Sequence, residues 1–99
     1  MGIFSRRISV TIEGMDKRNI IGPRVREARR IARPRLTQID LAARLQLLGL
    51  SIDQAGVSKI ETGRRPVSDI EVAALAKALK VPVSWLFEGT DPGFLSHQK

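Results

Sequence analysis

The chain has 99 residues, 42% of them hydrophobic and 27% charged, which allows one domain with a small core. With no cysteine and a single histidine, His97, close to the C-terminus, it offers no candidates for a disulfide framework, a thiolate zinc site or a cysteine nucleophile, and no metal or cofactor is expected. No apolar run approaches the ~20 residues of a membrane span, the opening MGIFSRR has no signal-peptide segment, and Arg6 breaks the myristoylation pattern, so a cytoplasmic protein with no membrane role is the expectation.

The formal charge of +7 is concentrated at one end. Residues 1–35 hold ten Lys/Arg against Glu13, Asp16 and Glu27, whereas the other 64 residues carry seven of each sign. Such asymmetry points to a polyanionic partner, nucleic acid or an acidic membrane surface, or else to a solvated helix face beside a basic tail.

Residues 1–18 show only a faint alternation at Ile8, Val10 and Ile12. That fits either a short strand pairing with a partner chain or a flexible basic leader, with Met15 as an alternative start. Pro23 then suits the first turn of a helix, PRVREARRIAR, which Pro34 ends; Val25, Ala28 and Ile31 form its inward stripe. Thr37 is placed to cap a second helix, QIDLAARLQLL, with Asp40 near the first-turn amides, Leu41, Leu45 and Leu48 inward, and Gly49 closing it in the left-handed conformation. Asp53 caps a third helix, QAGVSKIET, with Val57 and Ile60 buried and Gly63 at its end. Ser68 and Glu71 make a capping box before DIEVAALAKALK, whose stripe is Val72, Leu75, Ala76 and Leu79. A short fifth helix, Val83–Phe87, brings Trp85 and Leu86, with Trp85 expected in core or dimer-interface packing. The result is an all-α domain of five short helices over residues 19–88, between the leader 1–18 and a C-terminal tail 89–99.

The run LTQIDLAARL…QAGVSKIETGRRPVSDIEVAALAKALKVPVSWLF resembles the phage Cro/repressor-type helix-turn-helix family, also called the xenobiotic-response-element (XRE) family of bacterial regulators. The matching elements are Leu36-Thr37-Gln38, Leu41-Ala42 with Leu45, Gln54, Val57-Ser58-Lys59-Ile60-Glu61, Gly63 and the closing Ala76 to Leu86, so the likeness covers about Ile20 to Phe87. It implies a lambda-repressor-like fold and a sequence-specific binder of double-stranded DNA. In such proteins the glutamine matching Gln38 contacts phosphate and braces the glutamine that opens the recognition helix, here Gln54.

Side-chain chemistry points the same way. With Val57 and Ile60 inward, the third helix presents Gln54, Ala55, Ser58 and Lys59 to base edges: an amide for adenine, a methyl for thymine, an ammonium for guanine. Thr37, by its amide, and Gln38 are expected on phosphate, together with Thr62, Arg64 and Arg65 at the rim. Gly56 allows either close approach of DNA or a packing concession, and Glu61 is expected to have an internal partner, an arginine of the first helix. Gln46–Leu50 is an insert relative to the family pattern, expected to add a turn to the second helix.

The leading expectation is a homodimeric regulator, a repressor. The alternative is a helical interaction module, an antitoxin or regulator-partner subunit, that uses the insert's leucines and the leader to hold a protein partner. RNA binding ranks below both, because no exposed aromatic pair is available for stacking bases. An enzyme ranks last, for want of a nucleophile and base in a plausible pocket.

Overall fold

The computed structural model describes residues 17–89. The leader's alternation, Met15 and the tail with His97 lie outside them. Among the described residues there are five helices and no strand: α1 (Gly22–Ile31), α2 (Gln38–Leu47), α3 (Gln54–Glu61), α4 (Asp69–Leu79) and α5 (Val83–Phe87).

The first helix starts at Gly22 with Pro23 in its first turn and ends at Ile31, two residues short of the expected stop. Ile31, expected on the inward stripe, is 55% exposed. Each three-residue step lags a full turn by about 60°, so by the second step the side chain has left the core face. Ala32, four residues after Ala28, packs against the core instead. Gly22 permits a backbone crossing: a Cβ there would collide with the carbonyl oxygens of Ile60 and Glu61, so α1 passes directly over the end of α3.

The second helix opens on a reciprocal capping box. Thr37 Oγ1 accepts from the Asp40 amide at 3.0 Å, and the Asp40 carboxylate accepts from the Thr37 amide at 2.9 Å. That backbone donor holds the Asp40 carboxyl below the usual carboxylate range, with the Thr37 hydroxyl adding to it. The helix stops at Leu47, with Leu48 as its cap, and Gly49 reverses the chain at φ +92° as expected. The insert therefore lengthens the helix only by Gln46 and Leu47, while Leu48 to Leu50 make the turn. Leu48, expected inward, is 37% exposed, and Leu47 is 88% exposed. Their place beyond Leu45 is taken by Leu50 and Ile52 as the chain folds back, with the Leu50 amide bonded to Leu45 O at 3.0 Å.

Asp53 caps α3 through the Gly56 amide at 2.9 Å. Ser68 and Glu71 cap α4 as a second reciprocal box, and Lys80 ends that helix in the left-handed region. The core gathers Val25, Leu41, Leu45, Val57, Ile60, Leu75 and Leu86, all fully buried. Ile21, Leu36 and Ile52 join it from connecting segments, where helical periodicity has no purchase. Val72 is only partly buried. Trp85 lies at the edge of the core beneath Arg24, whose guanidinium carbon is 3.5 Å from the ring centroid.

Candidate nucleic-acid interface

α2 and α3 pack together so that α3 buries Val57, Ile60 and Glu61 and turns Gln54, Ala55, Lys59 and the adjoining Thr62 to solvent, with Ser58 half-buried. The four expected base-contacting residues thus share one side of one helix, three of them exposed and Ser58 half-buried.

Behind that surface runs a continuous chain of polar contacts. Glu61, its side chain 3% exposed, is gripped by Arg29 of α1 through Nε at 2.7 Å and Nη2 at 3.0 Å. The internal arginine partner expected for Glu61 is therefore Arg29. Arg29 also donates to Leu36 O at 3.1 Å. Gln38 Nε2 donates to Glu61 at 3.1 Å, and Gln38 Oε1 accepts from Gln54 Nε2 at 3.2 Å. A carboxylate only accepts, so it fixes the Gln38 amide with nitrogen toward Glu61 and oxygen toward Gln54. Gln54 in turn must offer nitrogen inward. It is left with one N–H and its carbonyl oxygen facing outward. Among the described residues no buried side-chain nitrogen or oxygen lacks a partner, so the relay is fully satisfied. The Gln38–Gln54 brace is present despite the insert, because the insert is absorbed at the opposite end of α2.

The rim residues divide into free and committed groups. Lys59 and Arg64 are exposed, and no ion pair or hydrogen bond engages either side chain among the described residues. Arg65 instead forms a two-pronged pair with Glu71, at 3.1 and 3.0 Å, and also donates to Pro66 O. The Glu71 carboxyl is held below, and the Arg65 guanidinium above, their ordinary ranges by that hydrogen-bonded pairing. Thr62 turns its hydroxyl back to Ser58 O and Lys59 O at 3.1 and 3.3 Å. The Thr37 amide, expected to meet phosphate, is already bonded to Asp40; the first-turn amides of Gln38 and Ile39 are the ones left over. Arg24 stacks on Trp85, donates to Trp85 O at 2.9 Å and pairs with Glu27 and Glu88.

Of the two explanations for Gly56, packing has the direct observation. A Cβ there would stand 2.8 Å from Ile52 Cγ2 and 3.4 Å from Asp53 Oδ1, within the protein's own structure.

Sequence reasoning missed Asn19. Its carboxamide donates to Ile60 O at 3.1 Å and Arg65 O at 2.8 Å and accepts from the Gly22 amide at 2.8 Å, tying the end of α3 to the start of α1. An asparagine three residues before a Gly-Pro helix start was the available signal.

No group of three or more potential metal-ligating side chains occurs among the described residues, and no helix there is long and apolar enough to cross a membrane. A family model described as helix-turn-helix matches residues 25–86, more than half of the chain. No curated protein and no solved structure matches it.

Proposed function

This chain belongs to the Cro/repressor-type helix-turn-helix family, a family of DNA-binding regulators, and on that premise we propose that it is a sequence-specific repressor that reads the major groove with α3. The observation that carries the reading is the Arg29–Glu61–Gln38–Gln54 relay. It orders an exposed glutamine before any ligand arrives, and the outward N–H and carbonyl oxygen of Gln54 match N7 and N6 of adenine. Ala55 supports contact with a thymine methyl, and Lys59, free of any acid, supports contact with guanine or phosphate. Arg64 and the remaining N–H groups of Gln38 serve the flanking phosphates, while Arg65 and Thr62 contribute less, because Glu71 already holds the one and the hydroxyl of the other already donates inward.

One recognition helix gives limited specificity, so a homodimer on a palindromic site is the proposed working form, with half-sites about 34 Å apart or a multiple of that. With ~4 to 6 phosphates neutralised per protomer, log affinity should fall against log salt with a slope of roughly −7 to −11 for the dimer. The protein acts by binding, in the cytoplasm, without a cofactor. Operator selection followed by Gln54→Ala and Lys59→Ala tests this. Each substitution should relax preference at one position and weaken binding by ~1 to 3 kcal/mol; an unaltered preference in both overturns the reading.

A second reading, in which the domain holds a protein partner, is favoured by one feature: Leu47 and Leu48 stand exposed beside Arg44, Lys77 and Lys80 at the end of α2 away from Gln38. It predicts an interaction abolished by Leu47→Glu and indifferent to Gln54→Ala.

A further inference from the structure

Where the chain enters the domain it runs against the far end of α3. The Arg18 amide donates to Gly63 O at 2.7 Å. Lys17 Cδ lies 2.8 Å from where a Cβ on Gly63 would stand, so the lysine side chain runs across that glycine. Asn19 fastens the arrangement, donating to Arg65 O in the loop after α3 and to Ile60 O, which also accepts from the Gly63 amide. Lys17 and Arg18, assigned by sequence to a flexible leader, are thereby docked beside Arg64.

All three side chains are exposed, and no hydrogen bond or ion pair engages any of them among the described residues. Among the described residues, Glu61 is taken by Arg29 and Glu71 by Arg65. The fold therefore gathers positive charge that no described acid pairs with, and holds it there through the Arg18–Gly63 backbone bond and the Asn19 carboxamide. Mutual repulsion in such a cluster is relieved by a polyanion with regularly spaced charges. A helix seated in a groove with its first turn on the bases brings its far end, and whatever is fastened to it, toward the flanking sugar-phosphate strand.

We infer that Lys17, Arg18 and Arg64 form a phosphate-binding ledge beside the recognition helix, adding sequence-independent affinity to the contacts made by Gln54 and Lys59. This rests on the reading of α3 as the recognition element. Asn19 acts as the positioning residue of the ledge.

The test compares the full chain with its Lys17→Ala/Arg18→Ala double variant on two duplexes, a selected operator and a scrambled sequence of the same composition, across a salt series. The slope of log affinity against log salt should become shallower by about 2 per protomer, because every phosphate left without its cation takes roughly 0.9 from the slope. Affinity should drop by the same factor on both duplexes, leaving base preference as it was. Lys77→Ala, an exposed cation on α4, is the control and should leave the slope unchanged. Asn19→Ala keeps both cations but releases them, and should flatten the slope in part while circular dichroism reports a folded domain. An unchanged slope in the double variant, or a drop in affinity confined to the operator, overturns the ledge. If wild type binds and Gln54→Ala relaxes preference while the double variant behaves like wild type, the ledge alone falls. If the folded wild type binds neither duplex, the recognition reading falls and the ledge with it.

Discussion

At its N-terminal end α2 is fastened by a reciprocal cap and by Gln38, which links a buried carboxylate to an exposed glutamine. At its C-terminal end the same helix finishes in Leu47, 88% exposed, and a left-handed glycine turn. The ten residues of this helix run from a place where the polar side chains are bonded to one another to one where an apolar side chain stands almost wholly in solvent. The expected insert, Gln46–Leu50, falls at the end where Leu47 is in solvent and only Leu50 packs against the core, and the bonded end keeps its geometry.

The bonded end of α2 depends most on Glu61. Glu61→Ala leaves the Arg29 guanidinium buried without its carboxylate and removes the anchor of Gln38, so a loss of ~3 to 5 kcal/mol is expected in urea unfolding. A loss below about 1 kcal/mol would mean that the relay is incidental to the fold. Gly22→Ala should come next. Its Cβ must displace the backbone of Ile60 and Glu61, at a cost of ~1 to 3 kcal/mol, read from the shift in unfolding midpoint.

The Arg65–Glu71 ion pair is less buried than the Arg29–Glu61 pair. Glu71 has its carboxyl pKa depressed by Arg65, so its stabilisation is present above the ordinary carboxylate value of about 4.3 and is lost as pH falls through the depressed one. With the Arg65 and Glu71 side chains 29% and 20% exposed, the contribution is small, ~0.5 to 1 kcal/mol. Glu71→Gln should therefore flatten the acid limb of the stability profile below about pH 4 and lower stability slightly at neutral pH; an identical acid limb would show that the pair is inert. The smallest effect belongs to Leu47→Ser, which should change stability by no more than ~0.5 kcal/mol. A larger change would place Leu47 in a contact that its exposure does not reveal.

The order and type of the helices were legible because each is punctuated locally. Thr37 with Asp40 and Ser68 with Glu71 bond within one turn, and Gly49 turns left for reasons internal to its own backbone. The exposed row on α3 was also legible, since Val57 and Ile60 settle the inward face and the remaining positions follow from the helical period. Less legible were the ends of the stripes. Ile31 and Leu48 look apolar enough to be buried, but whether a neighbour reaches them depends on where Ala32, Leu50 and Ile52 return.

Sequence by itself determined the local elements, the family and which side of α3 faces outward, because these depend on residues within a few positions of one another. Tertiary structure alone decided which charges are free. Arg64 and Arg65 are neighbours of identical chemistry, yet one is bound to Glu71 and the other is not. Lys17 and Arg18 read as a loose leader, yet a backbone bond to Gly63 sets them against α3. A charge is neutralised or exposed according to what lies within a few ångströms, and folding brings together groups far apart along the chain, as Asn19 and Ile60 are.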